Sequence, residues 1–317
     1  MDREITKDML KEFKENYDKN FSKMSQNAVA SVGIMDASIN YELVNKNPIV
    51  FSKELTIGRI TNQKKSGRCW MFAGLNTLKV SVLKNFKFQD IKFSHNYLYF
   101  FDKLERANQY LDDVIELKDK DLDDRLNRNV VFYAADDGAW WTTFQRLIAK
   151  YGIVPEYAYP DSKNVSRTND LIDNLDKRLK IAAKAIRDAF KEGRESEIEC
   201  IKEKAMKDVY RITAISLGVP PKRFDLCVKD KDNKLIERRN ISPIEFYNEF
   251  FKEDVSEYVE LGNYPGKNKE ENVLYERVFI QQRIGGSLRY VNVSIARMKE
   301  IVMSMIDAGE PVWFACD

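Results

Sequence analysis

Cys69 stands in the run Ile60-Thr-Asn-Gln-Lys-Lys-Ser-Gly-Arg-Cys-Trp70, and the residues around it are those that acyl transfer by a thiol requires. A thiol attacks a carbonyl only as thiolate, and the unpaired N–H groups and dipole of a helix N-terminus favour that negative charge. Cys69 opens a predicted helix that reaches about Lys84, with Phe72, Leu75, Leu78 and Val82 at helical intervals. Ser66-Gly67 supplies a tight turn before it, and Trp70 and Phe72 anchor the first turn in a core. Gln63, six residues earlier, offers a side-chain amide that, with the Cys69 main-chain N–H, would form an oxyanion hole. An isolated cysteine is more often a small buried residue; the pattern Gln-x-x-x-Gly-x-Cys-Trp is what favours the nucleophile.

Such a nucleophile needs an imidazole beside it and a group to orient that ring. The chain has one histidine, His95. It follows Ser94, which reads as a helix N-cap, so His95 is expected to be a surface or capping residue and not catalytic. The four cysteines, Cys69, Cys200, Cys227 and Cys316, contain no C-x-x-C pair, which argues against a structural zinc site or a redox dithiol. Gly285-Gly286 alone is no phosphate loop. No cofactor and no metal are expected.

The elements that must hold these groups are largely helical at first. Residues 5–21 read as a helix through Ile5, Leu10, Phe13, Tyr17 and Phe21, and 22–60 as an extended arm. After the Cys69 helix comes one led by Ser94, then a solvated helix or loop over 111–128. Asp136-Asp-Gly138 signals a turn, and a helix over about 140–150 stops at Gly152. Residues 165–217 carry two apolar stripes, one through Leu171, Leu175, Leu179, Ala182, Ile186 and Phe190, the other through Ile198, Ile201, Ala205, Val209 and Ile212. With Gly193 between them they predict a helical hairpin. Beyond Gly218-Val-Pro-Pro221 the texture changes. A β-hairpin is expected around Lys231-Asp-Asn233, a helix over 243–252, and strands at 278–281 and 288–293. A helix over 294–308 should turn Ile295, Met298, Ile301, Val302 and Met305 inward, and a buried strand is expected at 311–316.

With 317 residues, 44% of them hydrophobic, one large domain or two lobes around a cleft are affordable. Charged residues make up 32% and nearly cancel, leaving a net charge of +2, so no general attraction to nucleic acid or membrane follows. The N-terminus lacks an apolar h-region and no stretch is long enough to span a bilayer; a reducing cytoplasm is the expected location.

The Cys69 segment resembles the papain-like cysteine peptidases, and the form Thr61-Asn-Gln-Lys-Lys-Ser-Gly-Arg-Cys-Trp70 is similar to the branch of bleomycin hydrolase and bacterial aminopeptidase C. Ser94-His-Asn-Tyr-Leu-Tyr-Phe-Phe-Asp-Lys-Leu-Glu-Arg-Ala-Asn108, Asp137-Gly-Ala-Trp-Trp141, Lys150-Tyr-Gly-Ile-Val-Pro155, Gly218-Val-Pro-Pro221, Phe246-Tyr-Asn-Glu-Phe250, Tyr290-Val-Asn-Val293 and Gly309-Glu-Pro-Val-Trp-Phe-Ala-Cys-Asp317 continue the likeness. The resemblance implies an α+β papain-like fold, with a helical lobe carrying the cysteine and a β-rich lobe carrying a His and an Asn. It implies release of N-terminal amino acids from peptides, a C-terminal tail in the cleft, and a homo-oligomer, a hexamer in that branch. On this basis residues 1–60 are the N-terminal helix and arm, 61–160 the helical lobe, 161–221 a helical hairpin insertion, and 222–317 an incomplete β-rich lobe.

The resemblance also shows what is missing. In plain papain relatives the catalytic His follows the Cys by about 130–150 residues, but no histidine lies at 199–219 here. In the bleomycin hydrolase branch it lies past the strand that corresponds to 311–316. The chain is therefore expected to be an N-terminal fragment of a cysteine-type aminopeptidase, truncated in its β-rich lobe and by itself inactive. The catalytic residues it supplies are Cys69 as nucleophile and Gln63 in the oxyanion hole. The alternatives are an inactive peptide-binding or scaffold protein of the same fold, and another acyl-transfer enzyme built on a cysteine at a helix start.

Overall fold

The computed structural model describes residues 4–20, 22–46, 49–251, 255–278 and 284–315. Two compact units divide the chain, Met1–Ser52 and Lys53–Asp317. The described residues of the first hold four helices: α1 (Lys7–Asn20), α2 (Lys23–Val32), α3 (Ile34–Ala37) and α4 (Tyr41–Lys46). The extended arm expected over 22–60 is thus helical in its first half. Ser22 caps α2 by accepting from the Ser25 N–H, and Gly33, at φ 88°, ends it. The Asn40 side chain accepts from the Leu43 N–H to start α4. These helices are short and set by caps, so an apolar period had too few turns in which to show.

In the second unit, α5 (Cys69–Asn85) is buried on most sides, with Met71, Leu75, Leu78, Val82 and Leu83 all in the core. A helix that is apolar nearly all round belongs in an interior. Around it stand α6 (His95–Glu116), α7 (Arg125–Phe132), α8 (Trp141–Tyr151), α9 (Asn169–Lys191) and α10 (Ile198–Leu217). Ser94 caps α6 by accepting from the Tyr97 N–H. The stretch expected to be solvated begins inside α6, where Leu111, Asp113 and Val114 are buried, as is Leu117 at its C-cap, while Glu116, Asp119 and Lys120 are exposed. α8 ends at Gly152 (φ 69°), where an added Cβ would overlap the main chain of Pro243. The hairpin of α9 and α10 buries the predicted stripes at Leu171, Leu175, Leu179, Ala182 and Ile186, and at Ile198, Ala205 and Val209.

Among the described residues, two small sheets and two α-helices follow. β1 (Phe224–Lys229) and β2 (Leu235–Ile241) are an antiparallel pair, and α11 (Pro243–Phe250) follows through a Ser242–Glu245 capping box. β3 (Leu261–Gly262), β4 (Val273–Arg277) and β5 (Leu288–Asn292) make the second sheet. β5 is central, parallel to β3 and antiparallel to β4. α12 (Ile295–Asp307) is capped by Ser294.

The strand expected at 278–281 lies, but for Val278, outside the described residues; the described strand before it is β4, at 273–277. Two expectations change here. Residues 311–315 pair with no described strand; Trp313 is half-buried and Phe314 is 73% exposed. An apolar run specifies a strand only where a neighbouring strand offers its edge. Cys316 and Asp317 are outside the described residues. α12, for the same want of cover, buries none of its side chains, and Ile295 is 54% exposed.

Candidate active site

Cys69 is the first residue of α5, as the sequence predicts, and its thiol is exposed between two buried neighbours, Arg68 and Trp70. Arg68 is the N-cap. Its carbonyl accepts from both the Met71 and the Phe72 N–H, each at 3.0 Å. The N–H groups of Cys69 and Trp70 take no acceptor among the described residues, as expected of the first turn of a helix. The first turn of a buried helix thus leaves two main-chain donors without an acceptor next to the exposed Cys69, an arrangement suited to an oxyanion formed there.

Gln63 lies on the loop leading to that turn, half-buried. Its side-chain Nε2 donates to the Ser66 carbonyl (2.8 Å), and the Ser66 hydroxyl donates back to the Gln63 carbonyl (2.7 Å). These bonds fold the loop on itself just ahead of Cys69. An amide nitrogen carries two hydrogens, so one remains for a ligand. The loop is held from the other side as well, where the Lys65 N–H donates to the Ser166 carbonyl at 3.1 Å.

His95 differs from the expectation of a surface or capping residue. It is 6% exposed, and its ring stacks on Phe72 with centroids 3.6 Å apart. Burial, aided by the Arg68 guanidinium and opposed by Asp161, pushes its pKa down to about 3. His95 is thus a neutral core aromatic. The helical stripe of α6 extends to its first residue, and Ser94 performs the capping instead.

Several residues at the site were not singled out by the sequence. Arg68 is fully buried, with a bidentate pair to Asp161 (3.2 Å to each oxygen) and a bond to the Val165 carbonyl. Asp137, seen in the sequence only as part of a turn, accepts from the Gly67 N–H (3.3 Å), Tyr99 Oη (2.6 Å), Lys103 Nζ (2.9 Å) and the Thr168 hydroxyl. Its carbonyl accepts from Trp70 Nε1 at 2.7 Å. Burial opposes its charge, but Lys103 and the hydroxyls of Thr168 and Tyr99 hold the carboxyl well below the usual range. The signal available in advance was an arginine between Gly67 and Cys69, in a turn whose flanks were to be buried. Such a charge needs a partner.

At the other end of the chain, Trp313 Nε1 donates to the Trp70 carbonyl at 3.0 Å, and its ring lies 6.3 Å from that of Trp141. No cluster of three or more His, Cys, Asp or Glu that could hold a metal ion occurs among the described residues. No helix among them is long and apolar enough to cross a membrane.

Comparison with known proteins adds to this geometry. The family profile described as "Peptidase C1-like family" matches residues 4–317. Aminopeptidase G of Lactobacillus delbrueckii subsp. lactis is 36% identical over all of this chain and 72% of its own length. Aminopeptidase C of Lactococcus lactis subsp. lactis (strain IL1403) is 34% identical over 99% of this chain and 71% of its own. Among solved structures, PepW from Lactobacillus rhamnosis superposes with a TM-score of 0.90 at 32% identity, covering 98% of this chain and 70% of that one.

Proposed function

The chain belongs to the Peptidase C1-like family of cysteine peptidases, and we propose that it carries the nucleophile, Cys69, of a cysteine-type aminopeptidase. The observation that carries this is the exposed Cys69 thiol at the start of α5, beside two main-chain N–H groups without an acceptor among the described residues. The Cys69 thiolate attacks the carbonyl carbon of a peptide's first residue. The oxyanion is met by the Cys69 N–H and the Gln63 amide. As the tetrahedral adduct collapses, the C–S bond is retained and the C–N bond breaks, and the amine leaves with a proton from an imidazolium. Water then hydrolyses the thioester.

His95 is unsuited to supply that imidazole, being neutral, buried and stacked on Phe72. Residues 1–317 thus furnish the nucleophile half of the site. They are expected to turn over ordinary peptides little or not at all, because their one histidine is buried and neutral. Residues 61–160 form the lobe of the nucleophile, 161–221 an insertion and 222–317 part of the opposite lobe, in a cytoplasmic homo-oligomer. The same buried histidine favours a second reading, a peptide-binding protein without turnover.

An amino acid p-nitrophenyl ester separates the two, because its leaving group needs no protonation. Acyl transfer to Cys69, seen as one added aminoacyl mass lost in Cys69→Ala, supports the nucleophile. An ester that leaves Cys69 unmodified refutes it.

A further inference from the structure

Building on the reading of Cys69 as nucleophile, we infer that Asp137 is the positioning residue of the Cys69 turn, clamping the chain two residues before the thiol and one residue after it. The carboxylate takes the Gly67 N–H at 3.3 Å, and the carbonyl of the same residue takes the Trp70 indole at 2.7 Å. Asp137 is the only acceptor for the Gly67 N–H among the described residues. The approach is close enough that a Cβ on Gly67 would overlap Asp137 Cβ, so the turn and the clamp are fitted to each other.

The chemistry of the clamp is specific to a carboxylate. One oxygen faces Tyr99 Oη and Lys103 Nζ, and the other faces the Gly67 N–H and the Thr168 hydroxyl. All four groups arrive as donors. An asparagine has one oxygen and one NH2, and must set the NH2 against one of the two donor pairs. The Lys103 ammonium holds the oxygen on its side, so the NH2 falls on the Gly67 side and that bond is lost.

The clamp is itself anchored. On α6, Lys103 Nζ also donates to the Asp136 carbonyl at 2.6 Å, and Arg106 donates to the Gly138 carbonyl. Asp102, fully buried, pairs with both cations. A helix-borne set of charges thus fixes residues 136–138, and these fix the turn that presents Cys69. The action of Asp137 is through Gly67 and Trp70.

The test is amide exchange at Gly67 together with iodoacetamide alkylation of Cys69, with Cys227 as the reference thiol in the same molecule. In the wild-type chain the clamp requires a protected Gly67 amide; an amide exchanging at the free-peptide rate overturns it without any variant. Asp137→Asn should speed Gly67 exchange by about tenfold or more, the scale of a lost charge-assisted bond, while amides inside α6 keep their protection. The Cys69:Cys227 alkylation ratio should fall. A residue with a general role in stability would instead loosen α6 and Gly67 together, and that outcome, or an unchanged alkylation ratio, overturns the proposal. Thr168→Val, which keeps the carboxylate, should leave Gly67 within about threefold of wild type; a loss equal to that of Asp137→Asn contradicts the clamp. Equal alkylation of Cys69 and Cys227 in the wild type would remove the nucleophile reading alone, since Gly67 exchange judges the clamp separately.

Discussion

Trp313 and Trp70 are 243 residues apart in sequence, yet the indole N–H of Trp313 donates to the Trp70 carbonyl at 3.0 Å. Trp70 adjoins Cys69, so residues 311–315 are tied to the start of α5. Trp313 also packs toward Trp141 at the N-terminus of α8. Replacing it with phenylalanine keeps a ring but deletes the donor. Trp313→Phe should cost about 1 kcal/mol of stability by urea unfolding, and Trp313→Ala about twice that for a half-buried ring. Equal stability of all three proteins would show that the segment is not anchored there.

Gly74 lets α8 lie against α5. A Cβ at that position would stand 2.8 Å from Phe144 ring atoms, and Phe144 is fully buried and has no room to withdraw. Alanine gains about 1 kcal/mol of helix propensity over glycine, while overpacking in a core costs roughly 1–3 kcal/mol. The second effect should win, so Gly74→Ala lowers the urea midpoint. A raised midpoint would mean that the helices can separate freely.

His95 makes stability depend on pH with a defined sign. Its folded pKa is depressed to about 3, from 6.5 for a free histidine, so between these values the unfolded chain binds a proton that the folded chain does not. Stability is complete above about pH 6.5 and falls on acidification toward pH 3, by on the order of 1.4 kcal/mol per pH unit. His95→Phe, which preserves a ring against Phe72, should flatten the profile between pH 6.5 and 4. The carboxyl of Asp137, also depressed, adds a loss that begins only near the ordinary Asp value of 3.8. Identical profiles for His95→Phe and wild type over that upper range would contradict the buried neutral imidazole.

Gln63 is argued to share the oxyanion with the Cys69 N–H. Gln63→Ala should lower the rate of Cys69 acylation by activated esters by roughly 10²–10³. Its bond to the Ser66 carbonyl also shapes the loop, so exchange at the Gly67 amide should be followed in the same variant. Acylation at the wild-type rate would remove Gln63 from the oxyanion hole.

Much of the site was legible in sequence because its signals are local. A cysteine after Ser-Gly opens α5, Ser94 caps α6, and Gly152 stops α8, each through chemistry within a few residues. The paired stripes of α9 and α10 span enough turns for the helical period to be unambiguous. What escaped depends on distant partners. Asp137 becomes a hub only because Gly67, Tyr99, Lys103 and Thr168 fold onto it. The sequence suggests a surface or capping role for His95 because nothing nearby announces that Phe72 will cover its ring. The apolar character of 311–316 suggests a strand, but its described part, 311–315, seats Trp313 and pairs with no described strand.

The most direct test of Cys69 as nucleophile is peptide mapping by mass spectrometry after brief exposure of the chain to an amino acid p-nitrophenyl ester. Cys200 and Cys227, both exposed, serve as internal references. A single aminoacyl adduct is expected on Cys69, formed well before any on Cys200 or Cys227 and lost in Cys69→Ala. Adducts spread evenly over the three thiols, or an unmodified Cys69, would contradict it.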